Sequence, residues 1–375
     1  MSKFFNDSVL GRIEIPDYCV KIIDTSAFQR LRYLKQLGCT YFVFHGATHT
    51  RFEHSIGVCW LAGEWIKHLM NKQPELEITQ NDVKLIQISS LLHDIGHGPY
   101  SHTFERFIRK TRPELNYNHE EMSMHIIKNI YGSAIGHETC QQVCEIILGK
   151  PIDKPYLGHI VHNTINGLDA DKLDYFTRDS QCTSFKIGCD WQRIVYESRV
   201  INNEIVFPYK LVGDIWNLYQ TRFRLYRDLY FHKTVRKIED QLLNLMIISD
   251  KANVFKFSTG LTFVNLAHSI DDVESFLHTQ DDIIGQMERS QDVNVQSAFH
   301  DFVNRNIQEN PDVEQRVAHY GMLKENPMTM VKFFDREGKI KSIEPDVLAS
   351  MCPSRFMMLV PSRPHTIHKD TDIKI

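Results

Sequence analysis

His93-Asp94-Ile95-Gly96-His97-Gly98-Pro99-Tyr100-Ser101-His102 is the stretch on which the fold and the chemistry both turn. It follows Val83, Ile86, Leu91, Leu92 and Ile95, whose spacing predicts a buried helix over 80–95. Gly96, Gly98 and Pro99 stop that helix. Adjacent His and Asp side chains at a buried helix end offer one nitrogen and one oxygen about 100° apart, so an ion off the helix end can take both. Further ligands must come from elsewhere. His54, in Arg51-Phe52-Glu53-His54, opens a second helix, and Asp171, in Asp169-Ala170-Asp171-Lys172, lies on a third. Two imidazoles and two carboxylates with open positions suit Fe, Mn, Co or Zn and leave room for water and substrate. His93 and His97 also have the i,i+4 spacing of a zinc protease helix. Gly96 and Gly98 would break such a helix, and Asp94 stands where its glutamate base belongs.

Outward from this stretch, nine of the 19 histidines fall between His45 and His125. That excess of imidazole points to metal or acid-base chemistry. The 375 residues carry a net charge of −4, which weighs against nucleic acid as the main partner but allows a local basic pocket. No apolar run is long enough for a membrane span. The start, Met1-Ser2-Lys3-Phe4-Phe5-Asn6-Asp7, lacks the apolar segment of a signal peptide. Eight cysteines without a CxxC pair fit a reducing compartment, so an intracellular, cytoplasmic protein is expected. Cys140 and Cys144 are spaced to share a metal, but two small buried thiols are the simpler reading.

Periodicity predicts a mainly α chain: a helical core over 1–255 and a smaller α+β lobe over 256–375, ending in a loose tail from Pro361. Helices are expected over 24–37, 54–71, 80–95, 119–131, 137–148, 166–179, 209–231 and 234–252. Tyr41–Phe44 reads as a strand, and 331–343 as a hairpin turning at Glu337-Gly338. In the C-terminal lobe, helices are expected over 271–278 and 281–306. Lys172 and Arg178, taken alone, read as a solvated helix face.

The motifs carry a resemblance. They are Asp24-Thr25, Phe28-Gln29-Arg30-Leu31-Arg32-Tyr33, Lys35-Gln36-Leu37-Gly38, Arg51-Phe52-Glu53-His54-Ser55-Ile56-Gly57, the run His93 to His102, and Asn166 to Asp179. The match resumes at Tyr320-Gly321 and Asn326-Pro327. Residues 1–255 resemble the HD-domain deoxynucleoside triphosphate triphosphohydrolases, most closely the catalytic cores of members that also carry a SAM domain. The resemblance implies an HD helical core with His54, His93, Asp94 and Asp171 as ligands of a divalent transition metal (Fe, Mn or Zn), and Mg on the substrate phosphates. It implies cleavage of a dNTP between the 5′ oxygen and the α-phosphorus, giving deoxynucleoside and intact triphosphate. His102 would protonate the leaving oxygen. His97 and His119 would support it, with Glu105 where the family has aspartate.

By the same resemblance Arg51, Lys172, Arg222 and Tyr175 would hold the phosphates. Gln36, Leu37, Asp179 and Tyr230 would surround the deoxyribose. Tyr226 stands where the family has histidine. A guanine-nucleotide activator site is implied by Lys3, Asp24, Gln29 and Arg32. A second nucleotide site is implied by Asn6, Arg193, Lys210, His232 and Lys233, with departures at Phe4, Arg12 and Pro208. Activation by GTP or dNTP and assembly into a homo-oligomer, dimer or tetramer, are the corresponding expectations. The rival readings are an HD phosphohydrolase acting on another nucleotide class and a non-catalytic nucleotide sensor or nucleic-acid-binding protein.

Overall fold

The computed structural model describes residues 2–185, 190–258, 262–306, 316–321, 326–351 and 357–360. The tail expected from Pro361 lies outside the described residues. The chain is mainly α-helical, with small sheets at its margins.

The centre is an antiparallel pair of helices, Arg51–Lys72 and Gln80–Leu92, which pack along each other. Both begin with reciprocal caps. Thr50 and Glu53 close the first, and Thr79 and Asp82 close the second, so the orphan N–H groups of each first turn are satisfied locally. Helix Ala170–Thr183 lies against the first of the pair and starts from Asp169, whose side chain accepts from the Lys172 N–H. Gly57 permits that packing: a Cβ there would overlap the Asp174 and Arg178 side chains of the facing helix. Helices His102–Thr111, Val212–Leu225 and Lys233–Lys251 complete the walls around the site.

The second half adds two structural ties to the helical core. Helix Val293–Val303 packs on Lys233–Lys251. Strand Phe333–Phe334 pairs in parallel with Glu204–Pro208 and antiparallel with Ile340–Lys341, which is the expected hairpin. One apolar core runs through both halves.

Several element readings change. Tyr41–Phe44 is not a strand: residues Gly38–Phe42 form a 3-10 turn, and Phe42 packs its ring on Phe302 at 5.1 Å. Tertiary packing overrides the strand propensity of an aromatic run. The helix expected over 24–37 is broken into Ser26–Gln29 and a 3-10 turn, Arg30–Tyr33. Leu34 is then extended, and Lys35 bridges Thr50. The helix expected over 281–306 divides at Asp292, whose carboxylate caps Val293–Val303. Beyond Leu225 the long helix continues as a π segment, Tyr226–Tyr230, and this wider turn carries two residues of the site wall. Helices His102–Thr111, Pro155–Val161 and Trp191–Glu197 lie where none was expected.

Candidate metal centre and substrate cavity

Helix Gln80–Leu92 ends three residues short of the expected Ile95, with His93 at its C-cap and a turn leading on to Gly96. His97 therefore lies outside the helix, which excludes the protease geometry. The four expected ligands converge from three elements. His54 Nε2 lies 3.1 Å from Asp171 Oδ1 and 3.7 Å from Asp94 Oδ2; His93 Nε2 lies 3.5 Å from Asp171 Oδ1 and 3.5 Å from Asp94 Oδ1. Two donors about 2.1 Å from one ion at tetrahedral or octahedral angles stand roughly 3.0–3.4 Å apart, so this spacing is that of a ligand set. Both Nε2 atoms are buried and have no hydrogen-bond partner. Orphaned buried nitrogens facing carboxylates are what a divalent ion would satisfy, and the residues fit one.

The imidazoles are aimed by their other nitrogens. His54 Nδ1 donates to Asp174 Oδ2 at 2.8 Å, and His93 Nδ1 donates to the Ser90 carbonyl at 2.7 Å. These bonds leave the Nε2 lone pairs for the centre. Asp174 is fully buried and also receives Arg178 through Nε and Nη2, at 2.9 and 2.8 Å. Arg178 is 1% exposed, so the solvated-face reading of this residue is corrected: it pairs inward with Asp174 and with Asp7 at 3.0 Å. Burial opposes ionisation of Asp94, but His93, Arg51 and His97 outweigh it and hold its carboxyl well below the usual range. Asp171 is lowered likewise, against burial, by His54, His93 and Lys172.

A cavity of about 400 Å³ opens beside this centre. Arg51, Lys172, Tyr175, Arg222 and Tyr226 line it, as do Gln36, Leu37, Asp179 and Tyr230. Arg51 donates to Asp94 and, at 3.0 Å, to Ser101 Oγ. Lys172 Nζ is held by Asp169 at 2.8 Å. Arg222 donates to the His319 carbonyl and lies 4.3 Å over the Tyr226 ring. The tyrosine in place of the family's histidine thus gives this guanidinium a cation–π platform. Tyr230 donates its hydroxyl to Asp179 Oδ2 at 2.6 Å, and His49 Nε2 lies 2.7 Å from Asp179 Oδ1.

His97, His102 and His119 form one cluster on the cavity wall. His97 and His119 stack at 3.8 Å, and His102 meets both edge-on at 5.4 and 5.8 Å. Glu105 Oε1 accepts from His119 Nδ1 at 2.6 Å and lies 3.4 Å from His102 Nδ1. The longer carboxylate therefore reaches its histidine. Burial, Arg51 and His119 push His97 well below the ordinary histidine range. Burial also opposes the charge on His119, but Glu105 and Asp94 raise it. The pair is thus a neutral ring stacked on one that favours the proton.

The loop between His97 and His102 is strained. Tyr100 and Ser101 have φ of 57° and 56°, unusual for residues with side chains. Asp281 secures it: its carboxylate accepts the Tyr100 N–H at 2.7 Å and the Lys35 N–H at 2.8 Å, and its carbonyl accepts the Tyr100 hydroxyl at 2.9 Å. Arg30 adds a bond to the His97 carbonyl at 2.8 Å. A smaller cavity of about 200 Å³ reaches the centre from another side, lined by His93 and His162 and sharing Asp94, His119, Asp171 and Lys172 with the first.

The residues expected at the activator sites are in part brought together. Lys3 Nζ pairs with Asp24 at 2.7 Å, Gln29 accepts from Arg32 Nε at 2.7 Å, and Gln29 donates to the Ile23 carbonyl at 2.7 Å. Arg193 and Lys210 share Glu197. His232 packs on Phe44, Lys233 opens the following helix, and Asn6 lies opposite Arg12 in the N-terminal hairpin.

Sequence reasoning missed His49, Asp174 and Asp281 as partners of the site. Asp174 and Arg178 had one legible signal, their i,i+4 spacing. Cys140 and Cys144 are buried thiols, and burial pushes Cys144 up to about 11. No helix among the described residues is long and apolar enough to cross a membrane.

Residues 51–179 match the HD domain family model. The chain is 35% identical over 315 residues to the deoxynucleoside triphosphate triphosphohydrolase SAMHD1 homolog of Dictyostelium discoideum, covering 82% of this chain and 59% of that protein. It is 38% identical over 312 residues to deoxynucleoside triphosphate triphosphohydrolase SAMHD1 of Gallus gallus, covering 75% and 51%. It is 34% identical over 307 residues to the putative HD domain-containing protein L394 of Acanthamoeba polyphaga mimivirus, covering 76% and 64%. The chain spans between half and two thirds of the length of these curated relatives. It therefore carries an HD domain and is homologous, over most of its own length, to the SAMHD1 deoxynucleoside triphosphate triphosphohydrolases.

Proposed function

We propose that the protein is a metal-dependent dNTP triphosphohydrolase, with residues 1–255 as its HD domain and 256–375 as the accessory lobe. The observation that carries this reading is the junction of two features in one cavity. A His-Asp ligand set stands on one wall, and cations and a sugar-sized polar pair, Asp179 with Tyr230, stand on the others.

A divalent ion held by His54, His93, Asp94 and Asp171 would lower the pKa of bound water to about 7. The chain's own residues supply the rest. Asp174 and the Ser90 carbonyl fix the two imidazoles. Arg51, Lys172 and Arg222 offset the charge of a triphosphate, and Tyr175 hydrogen-bonds beside them. Asp179, aligned by Tyr230 and His49, accepts from the 3′ hydroxyl, with Gln36 and Leu37 closing the sugar site. His102, 71% exposed at the cavity wall, gives its proton to the leaving 5′ oxygen. Glu105 and His119 return it, and neutral His97 excludes a competing cation.

Guanine nucleotide at Lys3, Asp24, Gln29 and Arg32 would activate a homo-oligomer, with Asn6, Arg193, Lys210, His232 and Lys233 as a second nucleotide contact. Fe, Mn or Zn is proposed at the HD site, with Mg on the substrate. The test is product analysis with each dNTP, with each metal and at varied GTP. Stoichiometric deoxynucleoside and inorganic triphosphate support the reading. Orthophosphate or pyrophosphate as the only inorganic product overturns it.

A further inference from the structure

The smaller cavity beside the metal centre, about 200 Å³, takes neither sugar nor phosphate in the function proposed above. It meets the substrate cavity at Asp94, His119, Asp171 and Lys172, so the two reach one centre from different sides. His93, a candidate ligand, lines this side cavity and not the larger one. Glu120, Ile147, Val161 and His162 line it as well. A space of this size with polar walls holds several waters.

His162 is the C-cap of helix Pro155–Val161 and is half-buried. Its Nδ1 lies 2.9 Å from the Ile147 carbonyl. A carbonyl only accepts, so Nδ1 carries the hydrogen and Nε2 of the neutral ring keeps its lone pair. A backbone group, not a metal ligand, thus fixes the tautomer. An imidazole held in this way can accept a proton at Nε2 from a cavity water and give it up to solvent.

Displacement at phosphorus is in line, with the attacking and leaving oxygens on opposite faces. The dNTP reading fills the larger cavity with substrate and puts His102 on the leaving face. One bond forms between the water oxygen and the α-phosphorus, and the bond to the 5′ oxygen breaks. The 5′ oxygen takes a proton from His102, which regains one through Glu105 and His119. One proton of the attacking water stays on the triphosphate and the other must depart on the face away from His102. The count closes without another reactant, but the second proton needs a path that the substrate does not block.

We propose that the side cavity is the water and proton route to the metal centre, with His162 as its proton relay. This rests on the reading that the larger cavity takes a dNTP. The test is kcat for triphosphate release by wild type and His162→Gln at equal metal content, in a dilute amine buffer with and without 2-methylimidazole, whose methyl group hinders metal coordination. Glutamine can still donate to the Ile147 carbonyl, but its amide does not carry a proton at neutral pH. General acid–base groups contribute about 10²–10⁴-fold, and this transfer is one step of several, so kcat should fall at least about tenfold with KM unchanged. Added 2-methylimidazole should restore most of that loss and leave the wild type unaltered. A second readout needs no turnover. With Mn(II) at the HD site and a non-hydrolysable dNTP analogue in the larger cavity, the ion should still relax bulk water protons.

Collapse of that relaxation to the metal-free level on analogue binding overturns the route. An unchanged kcat in His162→Gln, or a loss that 2-methylimidazole does not restore, overturns the relay. The two readings fail differently. A wild type that releases no triphosphate from any dNTP defeats the reaction proposed above, whereas normal release with an unaffected His162→Gln defeats the relay alone.

Discussion

Replacing Asp174 by asparagine should separate what holds the helices from what holds the metal. Asp174 meets two demands at once: it accepts from His54 Nδ1 at 2.8 Å and takes the Arg178 fork at 2.8 and 2.9 Å. Asparagine has one acceptor oxygen. If that oxygen faces His54, the amide N–H₂ opposes the guanidinium. If it faces Arg178, the amide donates to Nδ1, shifts the proton to Nε2 and removes the lone pair a metal needs. Breaking a buried ion pair costs about 3–5 kcal/mol. Arg178 keeps Asp7 at 3.0 Å, so the low end, about 3 kcal/mol, is expected. That corresponds to a fall in Tm of roughly 4 °C for a cooperative unit of this size. Loss of the aimed imidazole should weaken metal binding about 10- to 100-fold. Melts by near-UV circular dichroism in chelator give the first quantity without the stabilisation that bound metal adds. Metal titration at fixed pH gives the second. Asp171→Asn is the control, because its side chain is 27% exposed and its loss should remove metal with little change in the chelated Tm. Wild-type metal affinity in Asp174→Asn, alongside the expected fall in Tm, would refute the argument that Asp174 aims His54.

Three further outcomes are expected. His49 is buried, which opposes its charge, but Asp179 and Cys182 outweigh that and push it up to about 9. Its contribution, about 3 kcal/mol at most, is complete below about pH 6.5, declines as pH rises and is gone above about 9. The Tm gap between wild type and His49→Gln should therefore close by pH 10, and a constant gap from pH 6 to 10 would contradict it. Asp281→Ala leaves two buried N–H groups unmet, at about 1–3 kcal/mol each, and releases the strained Tyr100-Ser101 turn. kcat should fall at least tenfold with unchanged metal content, and an unaltered kcat would show that the turn holds itself. His93→Ala should lose bound metal and activity together in elemental analysis and turnover assays, and activity without metal would end the proposed chemistry.

The legible part of the site was the part written in local order. The His-Asp pair at the end of a buried helix depends on neighbours within a few residues, and the fold places it there, although the helix stops at Leu92 rather than at Ile95. The Tyr41–Phe44 run was misread because its β-forming residues answer to a distant aromatic, Phe302. The helix expected over 24–37 failed for a related reason. Arg30 is drawn to Thr279 and the His97 carbonyl, while Lys35 bridges Thr50. The solvated-face reading of Arg178 failed because composition does not show that Asp7 and Asp174 close on it.

By itself, the sequence determined a mainly helical chain and singled out four candidate ligands, with further histidines nearby. Residue type and helical spacing suffice for those. Only the tertiary structure decided how the groups are aimed and fastened. Asp174 orients His54 across 120 residues, His49 meets Asp179 across 130, and Asp281 pins the Tyr100 turn across 181. Each such contact is between groups too distant in the chain for any local pattern to announce them. They are made because a buried donor or acceptor must find a partner wherever the packed helices bring one within reach.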